Sequence, residues 1–359
     1  PTIIIFVFST YNICPMISWK LTDLYKMEPT EVPGPVITND NEVLIKMEVL
    51  GVCGSDIHYY KTGRINDQVV EYPFTVGHEG AGTIVKTGSA VKSLREGDRL
   101  AIEPAMPCHE CDQCKAGRQH TCRKLRFLGC PGQAEGCLSE YIVMPEHSCF
   151  KISDSMSFDQ AALSEPLSIG LYATRLAGDL RNKSIAILGF GPIGMSVMLA
   201  ARTQDPKAFM VTDLLDPRLS LAKKSGAILV SNPEQEDSTK TFLQQAPSQP
   251  DVVFECCGKQ EALDQAIELL KPGGKLMIVG IPEFDHWKMS VDKLRRKELS
   301  IHNVRRQNNC VQETLDLLDS DRIKAGAMVT HRFPFSDSKA AFDLVAGYHD
   351  GVMKCMIDF

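Results

Sequence analysis

Residues 183–213 read KSIAILGFGPIGMSVMLAARTQDPKAFMVTD. The apolar run Ser184 to Leu188 suits a buried strand, and it stops at Gly189-Phe190-Gly191-Pro192-Ile193-Gly194 before an apolar-periodic helix begins. A strand that ends in G-x-G-x-x-G and restarts as a helix aims backbone N–H groups and a positive dipole end at one point, which suits a pyrophosphate. Gly189 permits the tight turn, Gly191 removes a side chain where phosphates approach, and Gly194 lets the helix pack on the strand. A second apolar run, Ala208 to Thr212, ends in Asp213, 19 residues beyond Gly194. An acid there accepts hydrogen bonds from the ribose hydroxyls and repels a 2′-phosphate, so NAD is expected rather than NADP.

Beyond Asp213 the alternation continues. Leu219 to Lys224 reads as helix, Ala227 to Val230 and Asp251 to Cys256 as strands, and Leu263, Ala266, Ile267 and Leu270 mark one helix face. Pro272-Gly273-Gly274 breaks that helix before the strand Lys275 to Val279. Strands alternating with helices over 183–304 predict a doubly wound parallel sheet. Val311 to Leu318 reads as helix and Met328 to Phe333 as strand, and with a last apolar strand they return to complete the first domain.

The first domain carries the chemistry. Glu42 to Val52 alternates like a half-buried strand and delivers the chain to Cys53, in the segment CGSDIHYY; GHEGAG stands at 77–82. A thiolate, an imidazole and a carboxylate are all competent zinc ligands, and a catalytic zinc keeps a fourth position open. Cys53, His78 and Glu79 can supply that set; taken singly, each also reads as an ordinary structural residue. Cys108, Cys111, Cys114 and Cys122 have the spacing C-x2-C-x2-C-x7-C. Four thiolates in a short Gly- and charge-rich lobe match a closed structural zinc site, with disulfides or unrelated free thiols as the alternatives. Ala161 to Leu167 leads into a helix through Arg175, which places Glu165 just before a first turn, where its charge favours the helix dipole.

Composition sets the limits. At 359 residues the chain is long enough for two domains. An apolar fraction of 43% with 23% charged residues describes a globular protein. The net charge of −6 leaves no electrostatic footprint for nucleic acid. Residues 3–8 are apolar, but no basic segment precedes them and no span reaches the length needed to cross a membrane. Cytoplasmic thiols are therefore the reading of the 13 cysteines. Residues 1–15 do not share the domain-like patterning that begins at Met16 and are expected to be a disordered or non-native extension.

With CGSDIHYY, GHEGAG, the four-cysteine lobe, SEPLSIG, GFGPIG, VTD and THRFPF in place, the chain from about Met16 to its end resembles the zinc-dependent medium-chain dehydrogenases. Within them it is most similar to the sorbitol (polyol) dehydrogenases. The resemblance implies an α/β protein with a GroES-like, mainly β catalytic domain (16–165 and 305–359) and a Rossmann NAD-binding domain (166–304), assembled as a homotetramer. It implies one catalytic zinc held by Cys53, His78 and either Glu79 or Glu165, and one structural zinc. Ser55 and His58 match the proton relay, and Tyr59, Glu165 and Arg305 match positions touching the polyol. Gly189, Gly191, Ile193, Gly194, Asp213, Arg218, Val279, Gly280 and Ile281 match the NAD site.

The implied activity is oxidation of a secondary hydroxyl of a sorbitol- or xylitol-like polyol to the ketose, with hydride transfer to NAD. One departure stands out. Polyol dehydrogenases typically have Arg-Tyr where this chain has Arg305-Arg306, and a second guanidinium suits a carboxylate or phosphate better than a neutral hydroxyl. A threonine 3-dehydrogenase-like enzyme, a polyol-phosphate dehydrogenase and a non-catalytic NAD-binding module are the alternatives.

Overall fold

The computed structural model describes residues 15–246 and 248–359. The extension expected at 1–15 therefore lies, apart from Pro15, outside the described residues.

The strands expected after Lys183 pair in parallel. They form a six-stranded sheet in the spatial order Leu229–Ser231, Ala208–Thr212, Ser184–Leu188, Val252–Glu255, Lys275–Ile278, Ser300–Asn303. Numbered along the chain, this is 3-2-1-4-5-6, the doubly wound order, and its reversal falls between Ser184–Leu188 and Val252–Glu255. Every residue of those two strands and of Ala208–Thr212 is buried, as near-continuous apolar runs in a two-sided sheet require. The strand read at Ala227 to Val230 is shifted slightly, to Leu229–Ser231.

Before and after this unit the chain builds a second sheet, in the order Cys149–Lys151, Arg99–Ile102, Glu79–Thr87, Glu42–Gly51, Lys354–Asp358, Val329–Pro334, with Tyr141–Pro145 also paired to Glu42–Gly51. The C-terminal strand lies beside Glu42–Gly51, with Met356 opposite Gly51. Gly51 also faces Glu79, so the last strand and the start of Glu79–Thr87 flank one point of the central strand. Alternation predicts Glu42–Gly51 to be half-buried, but Leu44, Val49 and Leu50 are buried as well as Val43, Ile45 and Met47. A helix covers its second face.

That helix, Phe158–Ala177, joins the two units. Ser157 caps it reciprocally with Gln160: the Gln160 N–H donates to Ser157 Oγ at 3.2 Å and the Ser157 N–H to Gln160 Oε1 at 2.9 Å. Leu163, Leu167 and Leu171 belong to one core cluster with Val49, Ala81 and Ala101 of the first unit and Val197 and Met198 of the second. The helix begins earlier than its sequence pattern indicates. Pro166 reads as a helix start, but it sits inside the helix, so Glu165 is an interior residue and its carboxyl is not placed to meet the N-terminal dipole.

Candidate active site and metal centres

The chain reaches the site through Cys53, the N-cap of the helix Gly54–Thr62. Asp56, three residues on, is fully buried; its Oδ2 accepts from the Cys53 N–H at 3.2 Å and its Oδ1 from the Gly77 N–H at 3.1 Å. The same Oδ1 lies 3.2 Å from His78 Nδ1. One carboxylate thus fixes the cysteine backbone, the glycine before the histidine, and the imidazole itself. His78 Nε2 is left facing the site, 3.4 Å from Ser55 Oγ, which is also 3.4 Å from Cys53 Sγ. Burial opposes the His78 cation, but Asp56 and Cys53 outweigh it and hold its pKa well above the ordinary value.

Cys53, His78 and Glu79 each bring one donor atom within 4.8 Å of the others. Thiol, imidazole and carboxylate fit zinc, and three protein donors leave a fourth position open. Glu79 is 1% exposed, and both its oxygens accept from Lys354 Nζ, at 2.8 and 2.6 Å. Glu165 lies outside this convergent set. Its carboxyl is buried, Oε2 has no hydrogen-bond partner, and burial, only partly opposed by His78, pushes its pKa up to about 8. A neutral carboxyl with a free oxygen is ready to exchange a hydrogen bond with a hydroxyl.

Other expected site residues are placed less directly. Tyr59 is buried, and its hydroxyl donates to Gln68 Oε1 at 3.0 Å. Arg305 is exposed. His58 is partly exposed, with Nδ1 3.6 Å from Glu283 Oε1. Glu283 lies two residues past Ile281, so this contact joins the first unit to the end of the Val279-Gly280-Ile281 run. Burial lowers the His58 pKa, and Glu283 acts against it.

The four-cysteine lobe converges independently. The sulfurs of Cys108, Cys111, Cys114 and Cys122 lie within 4.8 Å of one another, with Cys122 Sγ 3.5 Å from Cys108 and 3.9 Å from Cys111. Backbone donors aim at them: the N–H groups of Cys108 and Lys124 point at Cys122 Sγ, at 3.3 and 3.4 Å. Backbone N–H groups of Arg123 and Cys114 hold the Cys111 thiol down to about 6. Donors directed at sulfur favour thiolates, which is the state zinc requires. The described cysteines form no disulfide.

At the dinucleotide motif, Gly189 has φ 90°, a conformation that a side chain would strain. A Cβ on Gly194 would lie 2.0 Å from the Gly189 carbonyl oxygen, so the helix Pro192–Arg202 can approach its strand only with glycine there. No side chain caps this helix. Pro192 lacks an N–H, which leaves Ile193 and Gly194 as donors of the first turn. Asp213 accepts from the Phe190 N–H at 2.7 Å and the Leu215 N–H at 2.9 Å, and Arg218 stands 4.0 Å away. Arg218 also donates to the Val352 carbonyl at 3.1 Å, tying the edge of the dinucleotide motif to the first unit. These groups fit a nicotinamide dinucleotide.

Sequence alone assigns no role to Asp56 or Lys354. Lys354 has one local signal: it is the lone cation in the otherwise apolar run Val352 to Ile357.

Comparison with known proteins gives the family of the chain. A family model described as alcohol dehydrogenase GroES-like domain matches residues 39–154, and one described as zinc-binding dehydrogenase matches residues 192–320. Sorbitol dehydrogenase of Bacillus subtilis (strain 168) is 35% identical over 333 residues, covering 92% of this chain and 93% of its own. L-idonate 5-dehydrogenase of Vitis vinifera is 35% identical over 341 residues, covering 92% and 91%. An Escherichia coli oxidoreductase/dehydrogenase of unknown specificity superposes with a TM-score of 0.90 at 32% identity, over 96% of this chain and 99% of that one.

Proposed function

Because this chain belongs to the zinc-dependent medium-chain dehydrogenases, and is therefore an oxidoreductase, we propose that it oxidises a secondary hydroxyl of a polyol to the ketose with NAD as hydride acceptor. The observation that carries the reading is the convergence of Cys53, His78 and Glu79 beside the unpartnered carboxyl of Glu165. Relatives named for sorbitol and for L-idonate share a polyhydroxylated chain as substrate, which supports the substrate class.

Cys53, His78 and Glu79 would hold the catalytic zinc, and Cys108, Cys111, Cys114 and Cys122 the structural one. When bound, the catalytic zinc supplies Lewis acidity that lowers the pKa of a hydroxyl presented to it, and NAD supplies the acceptor for the hydride. The residues of the chain do the rest. Asp56 fixes the imidazole so that Nε2 faces the site. Ser55 Oγ, between Cys53 Sγ and His78 Nε2, is placed to take the proton of the substrate hydroxyl. His58 lies three residues further along the same helix, hence on the same face, and its partly exposed ring can pass that proton to solvent. Glu165 presents its free oxygen to a substrate hydroxyl, and Phe127 and Tyr59, both buried, exclude water.

Ile193 and Gly194 would donate to the pyrophosphate, and Asp213 would accept from the adenosine ribose. Arg218 would close the same edge, and Val279, Gly280 and Ile281, just past the strand Lys275–Ile278, would hold the nicotinamide half. The assembly is read as a homotetramer, and the reduced cysteines as those of a cytoplasmic protein. Among the described residues no helix is long and apolar enough to cross a membrane.

The test is NADH formation from a panel of sorbitol, xylitol, ribitol, galactitol, threonine and 2,3-butanediol by zinc-loaded protein, with His78→Ala beside it. Turnover of polyols that His78→Ala abolishes is expected. Turnover of threonine alone would replace the polyol reading with an amino-acid alcohol dehydrogenase.

A further inference from the structure

Arg306 is a charged group beside the site that none of the roles above employs. It stands just after the last parallel strand, Ser300–Asn303, in left-handed backbone with φ 55°. Arg305 is exposed, whereas Arg306 is partly buried. The Arg306 Cζ sits 3.6 Å from the centroid of the Phe127 ring, and that ring's centroid is 5.5 Å from the His78 ring. One aromatic side chain therefore touches both the guanidinium and an imidazole of the catalytic cluster.

Among the described residues the guanidinium has no counter-ion. Nη1 is buried without a hydrogen-bond partner, and among the described residues no ion pair is formed by this side chain. The Cys130 thiol and two carboxyl groups, Glu165 and Glu103, are close enough to influence it. Neither carboxyl forms an ion pair with it among the described residues. Glu103 is buried, with one oxygen accepting from the Ala105 N–H at 3.0 Å and the other from the Gln307 side chain. A guanidinium nitrogen buried without a partner is unfavourable, and a planar fork of donors pairs best with a carboxylate or phosphate. The Phe127 face offsets part of that deficit, and an anion would satisfy it fully.

We propose that Arg306 is a specificity-determining residue that binds an anionic terminal group of the substrate, a carboxylate or a phosphate, on a chain that still carries the secondary hydroxyl to be oxidised. The inference rests on the reading of this pocket as a polyol site, and it narrows the substrate class from neutral polyols to acidic ones. Hydroxyls of the chain meet Glu165 and the Cys53–His78 cluster, while the charged end is held by the Arg306 guanidinium, which stacks on Phe127.

The experiment compares kcat/KM with NAD for sorbitol and xylitol, for D-gluconate as the carboxylate probe, and for sorbitol 6-phosphate as the phosphate probe. Wild type, Arg306→Tyr and Arg306→Lys are measured in parallel. One anionic probe is expected to exceed both neutral polyols in wild type, and which probe does so distinguishes carboxylate from phosphate. In Arg306→Tyr the ratio of anionic to neutral kcat/KM is expected to fall about 100-fold, chiefly through KM, with Arg306→Lys retaining part of the preference. Neutral polyols oxidised as well as either anion by wild type would overturn the inference and leave the polyol reading standing. An unchanged ratio in Arg306→Tyr would also overturn it. Oxidation of no probe would remove both. Should Arg306→Tyr fail to fold, the wild-type preference and the Arg306→Lys ratio decide.

Discussion

Lys354 and Glu79, each 1% exposed at the side chain, form an ion pair at 2.6 Å between two strands that flank Glu42–Gly51 in the second sheet. The lysine also donates to the Val52 carbonyl at 3.1 Å, one residue before Cys53. The C-terminal strand therefore holds both the carboxylate of the catalytic cluster and the backbone leading to its thiol.

Replacing Lys354 by Met would leave the Glu79 charge buried and unpaired, a loss of about 3–5 kcal/mol. A dication held by Cys53, His78 and Glu79 would restore a counter-charge. Urea unfolding of Lys354→Met is expected to show the full loss in metal-stripped protein and a smaller one after zinc is added. Addition of Glu79→Gln is expected to recover much of the loss in the stripped state. Equal destabilisation with and without zinc would separate Glu79 from the metal.

Glu103 gives stability a pH dependence. Its burial raises the carboxyl from the ordinary value of 4.5 to about 7, against the hydrogen bonds it accepts. A raised carboxyl pKa means that the folded state holds the proton more tightly than the unfolded chain, so stability falls as pH rises from about 4.5 and levels off above about 7. That interval corresponds to roughly 3 kcal/mol. Glu103→Gln is expected to show no such loss, so its stability relative to wild type should rise by about this amount between pH 4.5 and pH 8. Urea midpoints at several pH values read it directly, and parallel curves for the two proteins would contradict it.

The proposed choice of NAD over NADP rests on Asp213 and Arg218, 4.0 Å apart. The carboxylate repels a 2′-phosphate, and its removal would leave the guanidinium to attract one. Asp213→Ser is expected to raise KM for NAD and lower KM for NADP, shifting the NADP-to-NAD ratio of kcat/KM by about 100-fold. Steady-state kinetics with both cofactors check it; an unchanged ratio would take Asp213 out of ribose recognition.

Much of this architecture is legible in the sequence because its signals are local. The turn from Leu188 to Gly194 needs glycines at fixed offsets, and the four-cysteine lobe needs thiols at short spacing, so each announces itself within a single short stretch of chain. Glu165 is a different case. Pro166 resembles a helix start, whereas packing on both units begins the helix at Phe158 and carries it through the proline. The pairing of Lys354 with Glu79 spans 275 positions and leaves no periodic trace. Asp56 lies inside a legible motif, but its hold on His78 exists only once the helix and the Gly77-His78 turn are brought together. Arg306 shows in sequence as a departure from Arg-Tyr; that its guanidinium turns onto Phe127 is a tertiary fact.

Every role proposed for the Cys53–His78–Glu79 cluster depends on direct hydride transfer from a substrate carbon held there. The most direct measurement uses a polyol or polyol acid deuterated at its secondary carbons, with zinc-loaded protein and NAD, and follows the label by mass spectrometry. Deuterium is expected in the reduced nicotinamide, one atom per ketone formed, and both products are expected to vanish in Cys53→Ser. Label lost to solvent, or transfer that persists in Cys53→Ser, would contradict it.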